Sequence, residues 1–255
     1  MDELTAPVAL PAADALTLLE CGELTVEGRV TTASNATLYC RAEFEGVVAA
    51  CAYKPVSGER PLWDYPDGTL AEREVASYEI SAATGWDIVP PTVLRAGPFG
   101  TGMVQLWVAE DESFDMVAAI NDGGYAPLRR VALLDAVLNN SDRKVSHLLP
   151  VPGPDGLQVR GVDHGVSLGV QDRLRTVLWQ WAGDPLPPDG VEMLTRLDAD
   201  WETPRGDRPS LAETLGELLT TAEVRAVRRR VQRLLARGRF PMPPTDWPAI
   251  PYPPY

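Results

Sequence analysis

The sequence predicts an α+β chain in two parts: a small antiparallel sheet with one helix, then a mainly helical portion. Three observations carry this expectation. Between positions 24 and 54, apolar and polar residues alternate with the period of two that a half-buried strand requires. From position 128 onward, apolar residues recur at helical spacing, beginning with Val131, Leu134, Val137 and Leu138. The 255 residues suffice for one large domain or a two-lobed one.

Hydrophobic residues at 45% and charged residues at 23% give the balance of a folded globular protein. A formal charge of −13 argues against a sequence-independent nucleic-acid binder, which needs a broad basic surface to displace counterions. Cys21, Cys40 and Cys51 are odd in number and lack metal-ligand spacing, so they read as reduced, partly buried thiols. No apolar run approaches the roughly 20 residues that span a bilayer, and the acidic Met1-Asp2-Glu3 lacks the basic start of a signal peptide. The expected address is the cytoplasm.

Residues 1 to 13 read as a loose leader. Strands are expected over 24–30, 37–42 and 47–54 as an antiparallel meander. In the third strand, Val48, Ala50, Ala52 and Lys54 share one face. Thr69 is expected to cap a helix over 70–84 that Gly85 ends, and strands are expected over 88–94 and 103–108. An acidic helix over 111–120 and an apolar one over 128–139 follow. Further helices are expected over 174–182, 191–197, 211–219 and 222–237, the last opened by the capping box Thr220-x-x-Glu223. The proline-rich end, 241–255, is either an extended strap or a flexible tail.

Two loop motifs bear chemistry. Asn139-Asn140-Ser141-Asp142-Arg143-Lys144 follows the apolar helix, and Gly161-Val162-Asp163-His164-Gly165 comes about twenty residues later. Two acids and a lysine thus flank one short hairpin. Both histidines of the chain, His147 and His164, lie inside these motifs.

On these motifs the sequence resembles the protein-kinase-like superfamily, and within it the branch of phosphatidylinositol 3/4-kinase-like and HipA-type kinases. It is also similar to a kinase-like family of actinobacteria. The stretches 53–55, 61–76, 89–94 and 161–167 carry the likeness, which spans roughly 24–182. It implies one kinase-like domain over 1–255: a sheet-based N-terminal lobe over 14–108, a helical C-terminal lobe over 109–240, and the tail over 241–255. It implies ATP and Mg²⁺ or Mn²⁺ as cofactors, with transfer of a phosphoryl group to a hydroxyl acceptor of unknown identity. Lys54 then stands where a strand lysine holds the α- and β-phosphates, and Ala52 leaves room for adenine. Asp142 matches the catalytic aspartate and Asp163 the metal-binding aspartate, while Lys144 stands where kinases contact the transferred phosphate. Gln105, Leu106 and Trp107 match the hinge that offers backbone groups to adenine. Ser34 and Asn35 fall in the phosphate-covering loop, which has no GxGxxG pattern.

The likeness selects Glu74 as the partner of Lys54, whereas the helical wheel places the apolar stripe Ala76, Ile80, Ala83 nearer Glu72. His147 stands where kinases place the asparagine that binds a second metal, and imidazole suits softer ions than magnesium. Competing functions are therefore a nucleotide-binding pseudokinase and a kinase-fold enzyme that transfers AMP. The arginines of the last helix, Arg225, Arg228, Arg229, Arg230, Arg233 and Arg237, read as a solvated face. The alternative is a docking patch for an acidic or anionic-lipid partner.

Overall fold

The structure is a computed structural model and describes residues 10–30, 36–153 and 156–255. Its first lobe is a five-stranded antiparallel sheet. The strands are β1 (Glu23–Arg29), β2 (Leu38–Phe44), β3 (Val47–Pro55), β4 (Thr92–Gly97) and β5 (Gly100–Leu106), in the order β1-β2-β3-β5-β4. The period of two in β3 sends Cys51 and Tyr53 to one face, against helix α1 (Ala12–Cys21), whose Leu18 and Leu19 are buried there. Burial of each of these leucines contributes about 1.5–3 kcal/mol. Lys54 and Ala52 point to the opposite face. Helix α2 (Leu70–Thr84) covers that face, packing Ala71 and Val75 on Met103 of β5. Cys40 and Cys51 sit opposite each other in the sheet as free thiols, which burial pushes up to about 11 and about 12.

The second lobe is built on α4 (Ala126–Leu138), with α5 (Pro188–Ala199), α6 (Leu211–Leu218) and α7 (Thr221–Arg237) around it. Its core gathers Leu128, Leu134 and Leu138 of α4 with Leu194, Leu215 and Val231. The hairpin of β6 (Leu148–Gly153) and β7 (Gly156–Gly161) carries one motif on each flank. Thr220 and Glu223 form the expected capping box, and Gly238 ends α7 in the left-handed region at φ 61°. No helix among the described residues is long and apolar enough to cross a membrane.

Several elements depart from expectation for local physical reasons. Residues 1–9 of the expected leader lie outside the described residues, and α1 begins at Ala12. The strand expected over 88–94 begins only at Thr92, because Pro90 and Pro91 have no N–H to donate to a ladder. The acidic helix is shorter: Asp115 accepts from the Ala118 N–H and starts α3 (Met116–Asp122). No helix forms over 174–182. The N–H groups of Arg175, Thr176 and Val177 donate instead to the carbonyls of Asn140, Ala249 and Arg143, so tertiary pairing overrides the local pattern. Thr69 does not cap α2. Its hydroxyl donates to the Pro66 carbonyl, and the Glu59 carboxylate accepts from the N–H groups of Leu70 and Ala71 at 3.1 and 2.9 Å. The tail is a strap on the second lobe: Thr176 N–H donates to Ala249 and Val145 N–H to Pro254.

Candidate functional site

Lys54, Glu74, Asp142 and Asp163 line one narrow cleft between the lobes, with Met103, Leu70 and Gly165 in its walls. The Lys54 ammonium donates to Glu74 Oε1 at 2.7 Å and to Asp163 Oδ1 at 2.8 Å. Burial alone would lower the lysine pKa, but the two carboxylates outweigh it and hold the amine charged well beyond its usual range. Lys54 in turn drives Asp163 well below the usual carboxylate range against the opposing effect of burial. Asp163 occupies the left-handed region at φ 62°, a conformation aspartate tolerates better than most side chains.

Glu74 is fixed from both ends. Its carboxylate is 2% exposed, and Oε2 accepts from the His164 N–H at 2.8 Å, so one side chain couples β3 to the Asp163 loop. Its neighbour Arg73 bonds the Ser167 carbonyl and the Glu223 carboxylate, clamping α2 to α7. This explains why the helical wheel misled. α2 is buried on two sides, and the apolar stripe marks only one of them, while Arg73 and Glu74 occupy the other. Glu72 makes no such link, and its Oε2 has no hydrogen-bond partner among the described residues.

Asp142 Oδ2 pairs with Lys144 Nζ at 3.0 Å, and burial raises its carboxyl above the usual range despite that cation. His147 Nε2 lies 3.3 Å from Asp163 Oδ2, and its ring is buried. Burial lowers its pKa to about 4, so the imidazole is neutral near pH 7.

Beneath these residues lies an anchor that motif reading missed. Arg143, fully buried, bonds Asp135 on α4 at 2.9 Å and the Val162 carbonyl at 2.9 Å. Its Nη2 stands 2.6 Å from His164 Nε2. A guanidinium can only donate, so Nε2 accepts and the His164 proton sits on Nδ1. Asp135, Arg143 and His164 thus hold both aspartate loops in register. The available signal was a lone acid, Asp135, within the apolar face of α4.

Other expected residues lie apart from the cleft. The Gln105 side chain is buried and donates to Thr92 Oγ1 at 2.8 Å. The N–H groups of Leu106 and Trp107 donate to the carbonyls of Pro91 and Ala50, so the expected hinge donors are engaged inside the sheet. Trp107 packs edge-on against Tyr39. Ala52 shares the face of Lys54 but does not reach the cleft wall. Ser34 and Asn35 lie outside the described residues. Past them, Ala36 closes over Gly58 so tightly that a Cβ at Gly58 would stand 2.6 Å from the Ala36 Cβ. The cleft encloses about 40 Å³, room for a water molecule or two. That is well below the roughly 300–1,000 Å³ of small-molecule sites.

No group of three His, Cys, Asp or Glu side chains among the described residues is gathered to hold a metal ion. A two-donor set does fit one. Ligands about 2.1 Å from an ion and at right angles stand about 3 Å apart, close to the 3.3 Å between His147 Nε2 and Asp163 Oδ2. Phosphate oxygens commonly complete such a shell.

Comparison with known proteins agrees with this architecture. No family model matches the chain. It is 41% identical to Protein Rv2133c of Mycobacterium tuberculosis over 91% of this chain and 94% of that protein. Among solved structures, the Golgi casein kinase superimposes with a TM-score of 0.54 at 14% identity, covering 91% of this chain and 79% of the other. The Helicobacter pylori proinflammatory kinase CtkA gives 0.53 at 10% identity, covering 86% and 97%. At such identities the shared property is the fold, a two-lobed kinase-like one.

Proposed function

Since the chain belongs to the family of the mycobacterial Protein Rv2133c and has a kinase-like fold, we propose that it is an ATP-dependent phosphotransferase acting on a hydroxyl acceptor. The observation that carries this reading is Lys54, bridged to Glu74 and Asp163 in a cleft that also contains Asp142. Phosphoryl transfer asks a protein mainly for positioning and for neutralisation of developing charge. Lys54 would hold the phosphates, kept in place by Glu74. Asp142, made more basic by burial, would orient the acceptor hydroxyl and take its proton as the new O–P bond forms and the bond to the ADP oxygen breaks. Lys144, on Asp142, would face the transferred group.

Asp163 and His147 would hold the divalent cation. Such a cation, Mg²⁺ or Mn²⁺, would neutralise phosphate oxygens as charge develops there. The imidazole donor favours manganese over magnesium. Within the superfamily, the motif likeness supports placement beside the phosphatidylinositol 3/4-kinase-like and HipA-type branch. The acceptor is a protein, lipid or small-molecule hydroxyl.

The test is incubation of the protein with ATP and Mg²⁺ or Mn²⁺, reading ADP release and intact mass. Native protein should turn over, and Asp142→Asn should be slower by about 10²–10⁴-fold. An added AMP mass in place of phosphate would make it an adenylyl transferase. The closed cleft and His147 favour one rival reading, a pseudokinase. Nucleotide binding without turnover in either metal, identical in native and Asp142→Asn protein, would establish it.

A further inference from the structure

The arginines of α7 divide into two sets. Arg225 and Arg229 are exposed, and Arg228 pairs with Asp198 and Glu202. Arg230, Arg233 and Arg237 instead face a hollow of about 510 Å³ on the second lobe, joined there by Arg239. Lys54, Asp142 and Asp163 take no part in its wall. Its volume falls within the usual 300–1,000 Å³ of small-molecule sites.

Four arginines meet a single acid in this hollow, Asp172, in a chain whose net charge is −13. Two of the four share that acid. Arg233 lies 2.8 Å from one Asp172 oxygen, and Arg230 lies 3.6 Å from the other. Arg237 has no ion pair among the described residues, and Arg239 donates only to the Gly183 carbonyl. Arg230 is 2% exposed, its Nη groups donate to the Val137 and Gly169 carbonyls, and its Nε has no hydrogen-bond partner among the described residues. Burial lowers its pKa to about 10 against the opposing effect of Asp172. The lining also has an apolar part. Trp179 and Phe240 stand in it, Trp179 held by its indole N–H on the Ala249 carbonyl of the strap.

We infer that this hollow is a second ligand site, separate from the cleft, for a phosphate monoester with an aromatic or acyl body. A dianion matches the excess of arginine, guanidinium forks suit phosphate oxygens, and the Trp179 and Phe240 wall suits the body. The inference does not depend on the phosphotransferase reading.

Calorimetric titration with phenyl phosphate, set beside inorganic phosphate and phenol, tests it. Phenyl phosphate should bind at least ten times more tightly than either half. The Arg233→Gln/Arg237→Gln variant should lose at least tenfold with an unchanged unfolding temperature. Asp172→Asn should gain several-fold, because it removes the competing carboxylate, and Asp163→Asn should bind as native. Sedimentation with vesicles containing a phosphoinositide separates two sources of the ligand. Co-sedimentation lost in the double arginine variant identifies a lipid headgroup, and none identifies a free metabolite. Affinity equal to that for inorganic phosphate, indifference to the arginine substitutions, or loss in Asp163→Asn would overturn the inference.

Discussion

Replacing Glu74 by glutamine should destabilise the fold substantially, even without any ligand. The native carboxylate accepts from Lys54 at 2.7 Å and from the His164 N–H at 2.8 Å, and it is almost fully buried. Glutamine offers one carbonyl oxygen, so its amide must face one of those two donors and leave it unpaired. The charge-assisted bond to Lys54 is also lost. A hydrogen bond to a charged group contributes about 1.5–3 kcal/mol, and an orphaned buried donor costs about 1–3 kcal/mol. Lys54 keeps Asp163, which limits the damage, so the expected loss is about 2–4 kcal/mol. For a chain of this size that lowers the unfolding temperature by roughly 5–15 °C. Urea and thermal denaturation would read it, with Glu72→Gln as the control expected to stay within about 0.5 kcal/mol. Equal effects of the two substitutions would refute the assignment of Glu74 as the link between β3 and the Asp163 loop.

Two further outcomes follow from the same geometry. His147 has a folded pKa of about 4 against about 6.5 unfolded, so the unfolded chain binds protons more readily. The shift costs nothing above pH 6.5 and destabilises the fold as pH falls toward 4, by up to about 3 kcal/mol. Denaturation midpoints over that window should decline less steeply in His147→Asn, and an unchanged slope would contradict the shift. Asp135→Asn should cost about 3–5 kcal/mol, because it leaves Arg143 buried without its carboxylate. A loss under 1 kcal/mol in chemical denaturation would show that Arg143 does not anchor the two loops.

The legible parts of the site were those carried by short contiguous motifs. The face of Lys54 followed from strand period and the loop positions of Asp142 and Asp163 from polar stretches beside a hairpin, while their roles came through resemblance. The end of α2 at Gly85 and the capping box of α7 were equally local. Glu74 was legible only through resemblance, since a helix buried on two sides defeats the wheel. The Asp135, Arg143 and His164 anchor joins residues up to 29 positions apart through side chains alone, so no local period signals it. The N–H groups of the expected hinge are engaged by the sheet. Leu106 and Trp107 continue the pairing that β5 begins, which sequence spacing cannot reveal. Helix 174–182 failed because the strap and the Asn139–Lys144 loop compete for its N–H groups.

The most direct measurement is a thermal-shift series with ATP against no metal, Mg²⁺ and Mn²⁺, on native protein and on Lys54→Ala and Asp163→Asn. Ligand at 100 times its dissociation constant stabilises a fold by about 2.7 kcal/mol. Native protein should therefore gain several degrees with ATP, more with Mn²⁺ present than with Mg²⁺. Both variants should lose most of that gain. No gain in native protein under any metal, or an equal gain in all three proteins, would contradict a nucleotide site built on Lys54 and Asp163.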